Sequence, residues 1–189
     1  GFTMAFASTH FMAFADDMGM GEMAAADVVA VTAIFSIGGS LMLGMLADRY
    51  ARQRILGLTY ALRGLAFAFL FLFFSDSLVY VYAVILGISW TATTPLTAAI
   101  SADLYGRRNL GVIFGTMYTF MNIGFGVGSF LDGIVYDAFG DYNFALVVNA
   151  ALGFVAALLV LRVTDGRKVL QGRVGPSLAA PVDEVIVPS

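Results

Sequence analysis

Between Gly38 and Arg54 an uncharged apolar run, GGSLMLGMLA, passes abruptly into Asp48, Arg49, Arg52 and Arg54. An apolar segment more than twenty residues long that ends in a tight basic cluster reads as a transmembrane helix reaching the cytoplasmic surface. Composition extends that reading to the whole chain. Hydrophobic residues make up 60% and charged residues 12%, with a mean hydropathy of +0.88, whereas a soluble domain carries about 25% charged residues. At roughly 25 to 30 residues per helix and loop, the 189 residues hold about six spans.

Several function classes drop out on residue inventory. With no cysteine and a single histidine, the chain holds neither a disulfide framework nor a Cys- or His-rich metal site. No cofactor is implied. The net charge of -3 does not describe a nucleic-acid-binding face. GFGVG lies inside an apolar span and lacks the lysine and hydroxyl of GxxxxGK[ST], so small-residue packing is preferred to nucleotide binding. Tyr136-Asp137 has no GxGD companion, and after Gly87-Ile88-Ser89 comes Trp90 rather than glycine, which leaves intramembrane proteolysis incomplete. The chain is not expected to be an enzyme.

Six apolar stretches predict helices: Gly1 to Ala15, Ala24 to Leu46, Ile55 to Phe74, Leu78 to Ile100, Gly111 to Tyr136 and Phe144 to Leu161. None has the period-two alternation of a membrane barrel. The first is shorter than a span of about twenty residues, so the chain is expected to be truncated there. A signal peptide is disfavoured because no Lys or Arg precedes the run. Loops alternate in charge. Asp16, Asp17 and Glu22, then Asp76, then Asp137 and Asp141 mark one side; Arg49, Arg52 and Arg54, then Arg107 and Arg108, then Arg162, Arg167, Lys168 and Arg173 mark the other. The positive-inside rule puts the second set in the cytoplasm, with the C-terminus, at the plasma membrane or a bacterial inner membrane. Residues 164–189 turn to Gly, Pro and charge and are expected to form a mobile tail after a bundle over residues 1–163.

GxxxDxxA at Gly44, Asp48 and Ala51 returns as GxxxDxxG at Gly133, Asp137 and Gly140, 89 positions later. Three helices per copy is an odd number, so the second copy enters the membrane inverted, as in secondary transporters. Small residues at four-residue spacing (Ser36, Ser40, Gly44; Gly124, Gly128) fit close helix packing in lipid. The polar residues at depth are His10, Arg63, Asn122 and the group Ser89, Trp90, Thr91, Thr93 and Thr94 before Pro95. Pro95 removes a backbone donor and is expected to kink its helix, freeing a carbonyl toward a cavity. Arg63 is either an anion or proton-coupling site or a residue satisfied by carbonyls, the second being favoured. His10, the sole imidazole, is balanced between proton relay and buried hydrogen-bonded residue. Asp132, near the outer end, is expected to be hydrated.

Gly44, Leu46, Ala47, Asp48, Arg49 and Arg52 resemble the GxLaDRxGR loop of the major facilitator superfamily, with Ala51 in place of the family glycine and Gln53 in place of a usual basic residue. HFMAFADDMG from His10, ADLYGRRNLGVIFG from Ala102 and GSFLDGIVYDAFGDY from Gly128 resemble its oxalate/formate antiporter and monocarboxylate transporter branch. The resemblance implies an all-α integral membrane protein: a six-helix bundle of 3+3 inverted repeats, equivalent to the seventh to twelfth helices of a twelve-helix transporter. It also implies a missing N-terminal half as partner, and a small solute, possibly with protons, as cargo. His10, Trp90, Thr94 and Asn122 become cavity candidates, and Gly44, Asp48, Arg49 and Arg52 gating candidates. Arg63, on the outer ninth helix, is demoted. The implied activity is alternating-access transport of an organic anion such as a monocarboxylate by proton symport or exchange. Drug or metabolite efflux, and a non-transporting six-helix scaffold or sensor, are the alternatives.

Overall fold

The computed structural model describes residues 1–75, 77–106 and 108–163. Asp76, Arg107 and the expected tail with Arg167, Lys168 and Arg173 therefore lie outside the described residues. Every regular element among those described is helical: α1 (Phe2–Ala5), a π-helical turn (Phe6–His10), α2 (Phe11–Asp17), α3 (Glu22–Arg49), α4 (Arg52–Leu72), α5 (Val79–Trp90), α6 (Thr93–Tyr105), α7 (Leu110–Phe139) and α8 (Asn143–Leu161). In lipid the backbone must satisfy its own polar groups, which helices do segment by segment. Five helices are long and apolar enough to cross a membrane when α5 and α6 are taken together as Val79–Tyr105. The first stretch, Phe2 to Asp17, is shorter and is not among them.

Local chemistry sets the ends. Gly140, left-handed at φ 73°, closes α7 with its N–H on Tyr136 O at 2.7 Å, a conformation that would strain any residue with a side chain. α5 stops at Trp90, and α6 starts at Thr93 with Pro95 as its third residue. Restarting there places the proline's missing N–H among the first-turn donors that have no helical partner in any case. The expected interruption is thus present, two residues long at Thr91–Ala92. The π turn, in which the Phe11 N–H reaches back to Phe6 O, has no sequence signal.

Packing follows the repeat. α3 packs on α5, α7 packs on α1 and the π turn, and α4 and α8 form the most extensive pair. The 89-position offset extends to two further glycine pairs that the loop motifs did not contain. Gly39 lies against the backbone of Ile88, and Gly128 against Phe2, where a methyl group would sit 2.9 Å from Cα. Gly64 and Gly153 touch each other: a methyl on Gly153 would fall 2.6 Å from Gly64 Cα, and one on Gly64 would fall 3.0 Å from Ala150 O. Equivalent residues of two inverted copies meet only near the axis that relates them, so the α4–α8 seam marks that axis. Bilayer tails are as apolar as leucine, which leaves close van der Waals contact as the main attraction here.

The buried interior falls into two clusters. One is aromatic and lies toward the end carrying the acidic loops, with Phe6 edge-on to Phe67 at 5.7 Å and to Tyr142 at 5.6 Å, and Phe11 stacked on Tyr82 at 5.7 Å. The other, Leu43, Ala47, Ile55, Leu56, Ala92 and Leu96, lies toward the basic end. A Gly153→Leu substitution should wedge the seam apart and cost about 1 to 3 kcal/mol or more, whereas Gly44→Ala, with open space around it, should be near neutral. Thermal unfolding of the two variants in detergent micelles checks the contrast.

Candidate functional site

α4 carries Arg63 into the junction between the two clusters, where it is 2% exposed. Its Nη2 donates to Ser89 O at 3.1 Å, Trp90 O at 3.3 Å and Thr93 Oγ1 at 3.2 Å. The first two are terminal carbonyls of α5, left without helical partners by the interruption and carrying the partial negative charge of a helix C-terminus. The guanidinium also lies 5.9 Å from the ring centres of Tyr60 and Trp90, within cation–π range. Two carbonyls at the break, Ser89 O and Trp90 O, are therefore bound to a cation, while Trp90 and Thr91 border a hollow. Carbonyls thus meet Nη2 of Arg63, while its Nε is buried without a hydrogen-bond partner among the described residues.

The cavity candidates fall into separate places. Thr94 is exposed on α6 and, with Tyr60, Thr93, Thr97, Met117 and Tyr118, lines a hollow of about 130 Å³ facing α7. Asn122 is exposed on α7 and donates its amide to Tyr118 O at 2.8 Å, which places its side chain beside that hollow's wall. Trp90 is half-buried and borders a different hollow of about 640 Å³, shared with Ser8, Phe11, Met12, Thr32 and Thr91. Thr94 therefore lines one hollow and Trp90 another, while Asn122 follows Met121, which lines the Thr94 hollow, without lining it itself.

His10 sits elsewhere, at the acidic end. The π turn sets its ring between α7 and the α7–α8 turn, with Nε2 2.8 Å from Ser129 O and Nδ1 3.3 Å from the Tyr142 hydroxyl. A carbonyl only accepts, so Nε2 carries the hydrogen. In the neutral ring Nδ1 then accepts from Tyr142. Burial pushes the Tyr142 phenol above its ordinary range, keeping it protonated and able to donate. Ser129 Oγ donates to Thr9 Oγ1 at 3.1 Å, and Tyr136 OH to Asp17 Oδ1 at 3.1 Å. Asp132, expected to be hydrated, is 2% exposed. Depth along a helix was readable in the sequence, but the face that this carboxylate takes was not.

At the basic end, Arg52 holds Asp103 of α6 through one nitrogen, 2.7 and 2.6 Å from the two carboxylate oxygens. This ties the start of α4 to the end of the interrupted span. Asp48 and Arg49 are exposed beside it, and Gly44 lies one turn back on α3. Sequence reasoning quoted Asp103 only as part of ADLYGRR and passed over Asn149, although a lone amide within an apolar span is itself a signal.

Comparison with known proteins agrees with this architecture. The family model of the Major Facilitator Superfamily matches residues 1–185. The chain is 28% identical over 154 residues to a Na(+), Li(+), K(+)/H(+) antiporter of Planococcus maritimus, covering 79% of this chain and 35% of the relative. It is 29% identical over 147 residues to the class H tetracycline resistance protein of Pasteurella multocida, 76% and 36% respectively. Monocarboxylate transporter 12-B of Danio rerio is 24% identical over 161 residues, 79% and 34%. The chain spans about a third of the length of these relatives.

Removing the Arg63 guanidinium should leave the Trp90 carbonyl unpaired and Ser89 O with only the longer 3.4 Å bond from Thr93 Oγ1, at a cost of about 1 to 3 kcal/mol. Arg63→Met is expected to unfold earlier in a denaturant titration in micelles, with Arg63→Lys recovering part of the loss.

Proposed function

This chain belongs to the major facilitator superfamily, and from that premise we propose that it is the six-helix C-terminal half of a secondary transporter working against an N-terminal half. The cargo is a small organic anion such as a monocarboxylate, driven by proton symport or exchange. The observation that carries this reading is the interrupted span Val79–Tyr105, pinned by Arg63, which sets Thr94 in a hollow facing α7. Discontinuous helices in transporters gather at solute sites near the bilayer midplane. The identity of one relative as a monocarboxylate transporter supports the anion class. The N-terminal half would supply the cationic partner, because Arg63 is already engaged with carbonyls.

The Arg52–Asp103 pair and neighbouring Asp48 and Arg49 form the gate on the basic side. That side faces the cytoplasm by the positive-inside rule, in a plasma or bacterial inner membrane. Charges there stabilise the state closed to the cytoplasm, and rocking of the halves breaks their contacts with the partner half. Efflux of an amphipathic solute is the second reading, favoured by the mostly apolar 640 Å³ hollow beside Trp90 and by the tetracycline-resistance relative.

The test is uptake of a radiolabelled monocarboxylate into proteoliposomes holding the complete transporter, under an imposed pH gradient or against internal anion. Saturable accumulation supports the reading, and accumulation no greater than in empty vesicles ends it. In that assay Asn122→Ala and His10→Ala should each lower uptake about tenfold, equivalent to about 1.4 kcal/mol, with membrane expression unchanged. Asp48→Asn should lower kcat while leaving KM within about twofold, because a gate acts on turnover rather than on solute contacts.

A further inference from the structure

Two irregular backbones meet at one hollow. The π turn, Phe6–His10, interrupts the first helix, and the break at Thr91–Ala92 interrupts Val79–Tyr105. Each of these helices opens one copy of the inverted repeat: subtracting 89 carries Thr91–Ala92 onto Phe2–Thr3, one turn before the π turn. Helices interrupted at corresponding places of two repeats mark binding sites in transporters, and π turns recur at functional sites. The hollow of about 640 Å³ between the π turn, α3 and α5 is bordered by both irregularities, through Ala7 and Ser8 on one side and Trp90 and Thr91 on the other.

Each irregularity leaves a hydroxyl unused there. In a regular helix a serine or threonine hydroxyl donates to a carbonyl three or four residues back. On the α3 wall of this hollow Thr32 does so to Val28 O at 2.9 Å and Ser36 to Ala33 O at 2.8 Å. In the π turn the hydroxyl of Thr9 takes Ala5 O at 2.7 Å, which is the carbonyl three residues before Ser8, and α5 ends just before Thr91. Ser8 and Thr91 are exposed, and their hydroxyls have no hydrogen-bond partner among the described residues.

The rest of the wall is apolar or aromatic, with Phe11 stacked on Tyr82, and no Asp, Glu, Lys, Arg or His lines it. At about 100° per residue the lining positions of α3 share one side of the helix, which sets Asp27 on the other side and Glu22 one turn beyond Ala26 at the acidic rim. His10 is turned to Ser129 and Tyr142. Arg63 stands 5.9 Å from the Trp90 ring centre, with Nη2 held by carbonyls, and does not line the hollow. An ion entering here would lose water without meeting a counter-charge. Deepening the efflux reading of this hollow, on which the inference rests for its role in transport, we propose that it binds uncharged amphipathic molecules, their apolar body against Phe11, Tyr82 and Leu86 and their acceptor oxygens on Ser8 and Thr91. Its volume suits a drug-sized ligand, for which pockets enclose roughly 300 to 1,000 Å³.

The test uses a cysteine-free complete transporter in lipid carrying Met12→Cys at the half-exposed rim of the hollow, and follows the rate of labelling by N-phenylmaleimide. N-phenylsuccinimide, the neutral and unreactive analogue with two carbonyl acceptors, should slow labelling saturably. Its anionic 4-carboxyphenyl analogue should need about ten times the concentration or more, and Ser8→Ala and Thr91→Val should each raise the half-protecting concentration of the neutral imide about tenfold. Labelling of Tyr50→Cys, exposed at the basic end, should ignore both imides. Equal protection by the neutral and anionic imides overturns the proposal, as does protection that is absent or that is unchanged in both hydroxyl variants. Gradient-driven flux of N-phenylsuccinimide across proteoliposomes tests the efflux reading separately: protection at Met12→Cys without such flux upholds the binding site and ends efflux.

Discussion

The contact on which the rest of this bundle depends is the guanidinium of Arg63 on the end of α5. An arginine at this depth costs roughly 2.5 to 3.5 kcal/mol on insertion scales, and an interrupted span leaves terminal carbonyls that lipid cannot satisfy. Each problem is the other's remedy: the helix end supplies negative partial charge and acceptors, and the arginine supplies donors. Because Arg63 comes from α4, whose adjoining face forms the glycine seam with α8, the break in Val79–Tyr105 is fixed relative to the pseudo-twofold axis. Thr94 and its neighbours take their positions from that.

The two ends of the bundle then differ in kind. The acidic end is built of aromatic rings and of hydrogen bonds from His10 to Ser129 and Tyr142. The basic end is closed by a doubly contacted ion pair between Arg52 and Asp103. An ion pair at a water-facing end is easily broken and remade, whereas the glycine seam and the Arg63 contacts are not. The bundle thus combines a rigid interior with one labile charged rim.

Most of the architecture was legible before any coordinates. Hydropathy placed all six helices within a few residues, because in lipid a span must be both long and apolar. Charge told the two ends apart. Pro95 announced the break, since no other residue lacks the donor that the helix needs there. The 89-residue repeat rested on three loop positions, and its strongest members, Gly64 with Gly153, are recognised only once they are seen touching. What stayed illegible was which face a residue takes and what comes from another helix to meet it. Asp132 was placed by its distance from the loop and so read as hydrated, Asp103 had no visible partner, and the π turn that aims His10 leaves no mark in FASTH.

The chain contains no cysteine, which opens a direct measurement on the complete transporter. A single cysteine at Asn122 is treated with a membrane-impermeant maleimide with and without transported solute, beside a control at Leu58 on the exposed flank of α4. The α6–α7 surface is taken here to line an aqueous path for solute, so Asn122 should label, solute should slow the labelling, and Leu58 should stay unlabelled in lipid. Equal protection of both positions from the reagent, or labelling at Asn122 that is indifferent to solute, would contradict it.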